Sequence, residues 1–320
     1  MRCLTVLIAV GLILAVAATA GATGLMWGTG SPDWQYAASG PSPVVFLFDT
    51  STGNIAKTYT FDSYNWMWTS GIADDGRYLY VSHNTYDLKT DPRSTNTHDF
   101  KIAKIDRATG AVLSDQSIAG FLGQTYSQVN ALDFQDGKLY AVENATSGST
   151  IRGYALEIGL DANGDVVGAT KGAFVGPYPD CGLDYHDGLW YATSWGYPGG
   201  GSEEGSLVYT SPDIMTTSFT ELGTGVTGIG MIDGWEFDEA GDLFAVSWYG
   251  ADSSNMSVYD IDMSGTQWTA SPLYDLSSQL PSSVTQLNGL SEVIPEPVTM
   301  AGLMLGIGSA VTYVRKRRTA

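Results

Sequence analysis

One alternation of apolar and polar positions recurs along the middle of the chain. It opens as Gly71-Ile-Ala-Asp-Asp-Gly-Arg-Tyr-Leu-Tyr-Val. It returns as Ala131-Leu-Asp-Phe-Gln-Asp-Gly-Lys-Leu-Tyr-Ala-Val and as Gly182-Leu-Asp-Tyr-His-Asp-Gly-Leu-Trp-Tyr-Ala. A fourth copy is Gly234-Trp-Glu-Phe-Asp-Glu-Ala-Gly-Asp-Leu-Phe-Ala-Val. Each predicts a short apolar strand, a tight turn and a second alternating strand, which is a hairpin. The equivalent residues Ile72, Leu132, Leu183, Trp235 and Leu290 stand 60, 51, 52 and 55 residues apart. A period of roughly 50 residues with about four strands per unit predicts an all-β fold, a β-propeller.

The later part of each unit predicts a second hairpin. Val45–Asp49 leads through Thr-Ser-Thr-Gly53 to Ile55–Phe61, and Ile102–Asp106 leads through Arg-Ala-Thr-Gly110 to 111–117. Tyr154–Ile158 and Val258–Ile261 are followed by Asp161-Ala-Asn-Gly164 and Asp262-Met-Ser-Gly265. In style these hairpins resemble those of propellers with quinoprotein-like or NHL-like repeats. Four units start near residues 65, 127, 178 and 230. A fifth is split, its later strands in 25–61 and its first strand in Asn288-Gly-Leu-Ser-Glu-Val293. The expectation is five blades over 23–293, with the ring closed by the N- and C-terminal strands, which removes exposed edges. A β-sandwich of similar strand content is the alternative. Residues 84–99 and 195–205 are polar or glycine-rich and read as loops.

The chain has 9 Trp, 18 Tyr and 10 Phe among 320 residues, enough aromatic surface for a core. Five of its 15 basic residues are Arg2, Arg315, Lys316, Arg317 and Arg318, so the stretch between the two ends has ten against 34 acidic residues. Such a surface repels phosphate backbones and excludes nucleic acid as a partner. Cys3 and Cys181 are the two cysteines; with Cys3 in the leader, Cys181 has no intramolecular partner.

Both ends face a membrane. The start, MRCLTVLIAVGLILAVAATAGATG, has an apolar run and the small residues Ala18-Thr19-Ala20, and reads as a signal peptide over 1–22, a signal helix. The end, 294–320, has Pro295-Glu296-Pro297, an uncharged run over Val298–Val314, and the basic cluster Arg315, Lys316, Arg317 and Arg318. The run is just long enough for a transmembrane helix, and the cluster would hold the cytoplasmic side. Tripeptide, apolar span and basic end together resemble the PEP-CTERM sorting signal. That resemblance implies export through the inner membrane to the cell envelope, cell surface or extracellular matrix. It also implies an exosortase-type membrane enzyme as partner and an association with exopolysaccharide or surface proteins. It covers only the last 28 residues or so of the chain.

Chemistry is sparse. No Gly-x-Ser-x-Gly, P-loop or His-Glu-x-x-His occurs, and the three histidines are scattered. Asp161-Ala-Asn163-Gly-Asp165 begins like a calcium loop, but residue 172 is Gly where a ligating Glu is needed, so a β-turn is expected. Tyr64, Trp66, Trp68, Trp195, Tyr197, Trp248 and Tyr249 suit blade packing or a sugar-stacking surface. Ala73, Asp133, Asp184, Glu236 and Ser291 occupy equivalent places on the first strands. If these line the axis, Asp133, Asp184 and Glu236 converge and would bind a hard cation such as Ca²⁺, as in propeller lactonases. Their plainer use is to bond neighbouring backbone and pin each blade in register. The expectation is therefore a non-catalytic binding or structural protein without a cofactor, the alternative being a metal-dependent hydrolase or lactonase-like enzyme.

Overall fold

The computed structural model describes residues 24–32, 43–62, 64, 66, 68–84, 100–124, 127–147, 150–177, 179–195, 206–247 and 256–294. The signal segment 1–22, the tripeptide Pro295-Glu296-Pro297, the apolar span and the basic cluster 315–318 lie outside them. Every regular element among the described residues is a strand, and none of their segments is a helix long and apolar enough to cross a membrane.

The strands run in order. They are β1 (Leu25–Ser31), β2 (Val44–Asp49), β3 (Ile55–Thr60), β4 (Trp68–Asp74), β5 (Tyr78–Asn84), β6 (Phe100–Asp106) and β7 (Val112–Ser117). Next are β8 (Gln128–Gln135), β9 (Lys138–Ser147), β10 (Thr150–Leu160), β11 (Val166–Pro177), β12 (Pro179–His186), β13 (Leu189–Trp195), β14 (Ser206–Ser211) and β15 (Thr220–Thr227). Last come β16 (Ile232–Phe237), β17 (Leu243–Ser247), β18 (Ser257–Asp262), β19 (Trp268–Asp275) and β20 (Gln286–Glu292). Strands β4–β7 and β8–β11 form four-stranded antiparallel sheets, and β20-β1-β2-β3 forms another. An eight-stranded sheet holds two further antiparallel runs, β12–β15 and β16–β19, joined by a short parallel pairing of β15 with β19.

The Asp-Gly turns form as the sequence predicts. Asp136 and Asp187 have φ of 53° and 49°, followed by Gly137 and Gly188 at 78° and 83°. Two successive left-handed residues give a type I′ turn, whose twist matches that of its strands. The Asp161–Gly164 stretch is a turn too, with Asp161 Oδ1 accepting from the N–H groups of Asn163 and Asp165.

The arrangement is of propeller type. First strands β4, β8, β12, β16 and β20 each pack on the next, and β20 returns to β4. Strand β1 is hydrogen-bonded along β20, so the first and last described strands close the ring as expected. The core follows the same cycle. Trp27 and Val45 pack with Ile72 and Leu79; Tyr80 and Ile102 with Leu132 and Leu156. Ala131 and Val175 pack with Leu183 and Trp190; Val208 and Val226 with Trp235 and Tyr259; Val246 and Val258 with Phe46 and Phe48. Each such core lies between one four-stranded run and its neighbour, and each large side chain buried there contributes about 2 kcal/mol. The outer strand β3 alternates half-buried with exposed positions, because only one of its faces meets a neighbouring sheet.

At one level the first strands approach so closely that Gly71 and Gly289 have no room for a side chain. A Cβ on Gly71 would lie 2.4 Å from the Leu132 nitrogen, and one on Gly289 would lie 2.4 Å from the Ser70 carbonyl oxygen. Ala131 fills the same level on β8. This waist separates the two ends of the ring axis.

Candidate metal centre

Two residues beyond the waist stand Asp133 on β8, Asp184 on β12 and Glu236 on β16. The sequence repeat puts a carboxylate there, and strand alternation returns it to the face that met the neighbouring strand at the glycine. All three are buried, and one oxygen from each lies within 4.8 Å of the others. Ala73 and Ser291 fill the two remaining equivalent positions, so the cluster is open-sided rather than a full ring of carboxylates.

Each carboxylate also reaches the next first strand. Asp184 Oδ2 accepts the Phe237 N–H at 2.7 Å, and Glu236 Oε1 accepts the Glu292 N–H at 2.9 Å. Asp133 accepts from the backbone N–H of Tyr185. The two uses foreseen for these residues thus coexist, with convergence at the axis and backbone bonds between neighbours. Asp133 Oδ2 is sealed from solvent and has no hydrogen-bond partner.

The electrostatics are severe. Burial raises the Asp133 carboxyl to about 7, against the backbone N–H groups of Phe134 and Tyr185, which lower it, and with the Glu292 charge adding to the rise. Burial, and then repulsion from Asp133, raises Asp184 well above the usual carboxylate range. Glu236 is raised likewise by burial and then by Asp184 and Asp133. Three buried carboxylates with oxygens within 4.8 Å of one another are not all ionised together unless a cation joins them.

The residues fit a hard divalent cation. All donors are oxygens, and Ca²⁺ holds oxygens at about 2.3–2.6 Å, so two of its ligands are separated by about 5 Å at most. The 4.8 Å grouping falls inside that span. The smaller Mg²⁺ would demand a tighter set.

Two acidic neighbours and one basic one escaped the sequence analysis. Glu292 is half-buried beside the cluster and raised to about 7, chiefly by burial and then by Glu239 and Asp184. Asp74, at the end of β4, accepts from Trp27 Nε1 at 3.0 Å and from the Gly76 N–H at 2.8 Å. It pairs with Arg107 at 3.3 Å, and burial still raises it to about 7. Arg107 also donates to the carbonyl oxygen of Ile294, just past the closing strand. Glu292 adjoins Ser291 in the repeat, a positional hint. Nothing in the pattern marks Arg107.

The aromatic cluster divides. Trp66 is buried, stacked on Phe61 at 4.5 Å and on His83 at 4.0 Å, which is core packing. Tyr64 is exposed, and the structure does not describe the side chains of Trp195, Tyr197, Trp248 and Tyr249. The side chain of Cys181 is likewise outside the description.

No protein-family model matches the chain, and no curated protein matches it. Solved structures do. The periplasmic gluconolactonase of Pseudomonas aeruginosa is 13% identical, over 80% of this chain and 69% of that one, with a TM-score of 0.41. The GH43_1 enzyme from Xanthomonas citri is 12% identical over 87% and 97%, with a TM-score of 0.44. The Trypanosoma rangeli sialidase is 11% identical over 78% and 47%, with a TM-score of 0.49. These similarities are distant. They concern the fold alone. Within this chain the expectation of a non-catalytic structural or binding protein is corrected by the convergence of Asp133, Asp184 and Glu236, whose oxygens lie within 4.8 Å of one another, an arrangement that register bonds alone do not require.

Proposed function

We propose that the chain is a five-bladed propeller enzyme that holds a divalent cation, Ca²⁺ by size, between Asp133, Asp184 and Glu236 and catalyses metal-dependent hydrolysis. The observation that carries the reading is the meeting of the three carboxylates, with Asp133 Oδ2 buried and without a partner. The five blades are supported by the cycle of first strands and by the pairing of β1 with β20.

A cation held there would polarise a carbonyl and acidify a bound water. The chain's own residues prepare for it. Backbone N–H groups of Tyr185, Phe237 and Glu292 fix the carboxylates from behind, so few rotamers are lost on binding. Burial keeps competing water out and strengthens the field at the axis. Asp136, Asp187, Asp238 and Glu239 lie in the turns at that end and would draw cations towards it. Three protein oxygens leave coordination positions for water and substrate, as a catalytic site requires.

The sorting signal belongs to the same proposal. The Pro-Glu-Pro tripeptide, its apolar span and the basic cluster support export to the cell envelope and processing by an exosortase-type enzyme. The test is hydrolysis of a panel of lactones and activated esters by the full chain, with Ca²⁺ and after chelation. Turnover that disappears on chelation and in Asp184→Asn is the expected result. Absence of turnover, or turnover indifferent to both changes, would contradict the proposal.

A further inference from the structure

Both described ends of the chain leave the ring at the carboxylate end of its axis. Four first strands turn there into their second strands, through 75–77, 136–137, 187–188 and 238–242. Strand β20 makes no such turn, because its partner β1 comes from the other end of the sequence. The pairing of Met26 with Glu292 therefore sets Gly24 and Ile294 side by side at this end. The Glu292 N–H donates to Glu236 Oε1 at 2.9 Å, so the chain departs one hydrogen bond away from the carboxylate cluster.

The point of departure is fixed. Val293 is buried with Trp27, Phe61, Ile72 and Val81, in the core between the sheet β20-β1-β2-β3 and the sheet β4–β7. Arg107, in the turn between β6 and β7, donates to the Ile294 carbonyl oxygen and pairs with Asp74 at 3.3 Å. The Arg107 carbonyl oxygen in turn accepts from the Tyr59 hydroxyl at 2.6 Å and from Lys57 Nζ at 3.3 Å, both on β3. Two neighbouring sheets thus hold one clamp on the last described residue.

The sequence begins the apolar span Val298–Val314 four residues past this clamp. Four steps of chain cover at most about 14 Å, and two of the three residues between are prolines, whose φ is fixed. The first strands are six to eight residues long, which makes the ring roughly 20–25 Å deep along its axis. The tether is shorter than that depth, so it does not let the ring turn over on a bilayer that holds the span. The apolar leader joins the ring at the same end, through Gly24, so either segment in a membrane gives the same facing. We infer that the cation end of the ring faces the bilayer surface while the chain is held in a membrane, and that bulky soluble molecules are kept from it. The inference rests on the reading of 298–314 as a membrane span. For the proposed hydrolysis it excludes soluble polymers as substrates of the anchored chain.

The experiment is maleimide labelling of the full chain, carrying Cys3→Ser and Cys181→Ser, in phosphatidylcholine vesicles. Ala240→Cys reports the cation end, in the exposed turn between β16 and β17. Gly120→Cys reports the opposite end, in the connection that enters β8, where a Cβ has open space. Flotation selects the chain held by the vesicles, and rates are taken relative to a small maleimide. A large polyethylene-glycol maleimide should label Ala240→Cys several-fold more slowly than Gly120→Cys. A long Gly-Ser linker inserted after Ile294 should remove that difference, because a flexible tether lets the ring reorient. Floated chain that takes the large reagent equally at both ends, or a difference that survives the linker, overturns the inference alone. Chain that does not float overturns it together with the reading of the span.

Discussion

At the scale of residues, the carboxylates at the axis make a signed prediction about pH. Asp133 and Asp74 have folded values of about 7 against an ordinary 3.8. A carboxyl raised in the fold favours folding while it is protonated. That contribution is complete below about pH 4 and is lost as pH rises through about 7. Metal-free protein should therefore melt at a lower temperature near pH 8 than near pH 5, and Ca²⁺ should restore the loss. Asp133→Asn keeps an oxygen for the Tyr185 N–H and removes a charge. It should stabilise the metal-free protein near pH 8 by on the order of 2 kcal/mol and abolish the restoration. Thermal unfolding with and without chelator checks both. The three cluster residues were legible because the repeat aligns them at one register. Asp74, Arg107 and Glu292 were not, because their partners stand 33 to 187 residues away and packing alone brings them together. That the carboxylates would both converge and bond backbone was illegible for a related reason. Sequence alignment gives height along an axis but not distance across it.

At the scale of elements, the glycines at the waist are more demanding than those in the turns. Gly289 has backbone 2.4 Å from where a Cβ would stand, while Gly137 has open space around it. Gly289→Ala should cost about 2 kcal/mol or more by forcing β20 away from β4. Gly137→Ala should cost about 1 kcal/mol, through its left-handed φ alone. Urea unfolding of the two variants compares them directly. The hairpins themselves were plain in the sequence, since Asp-Gly between alternating strands has few other conformations to adopt. The parallel contact of β15 with β19 was not, because two outer strands of neighbouring units meet through the geometry of the ring and not through a motif.

At the scale of the molecule, the chain closes on itself at two points. One is the ladder between β1 and β20, which the split repeat foretold. The other is Arg107, which ties Asp74 at the end of β4 to Ile294 beyond β20. Removing the guanidinium leaves the Asp74 carboxyl buried without its cation. Arg107→Ala should cost about 3 kcal/mol near pH 8 and markedly less near pH 5, where Asp74 is protonated. Chemical denaturation at the two pH values reads this out. A loss equal at both would assign Arg107 to packing.

The central claim is that the carboxylate end takes a divalent cation, and calorimetric titration of the metal-free chain with Ca²⁺ near neutral pH tests it most directly. The account predicts saturable one-site binding, lost in Asp184→Asn and in Asp133→Asn. No heat of binding in the unaltered chain, or binding that survives both substitutions, would contradict it.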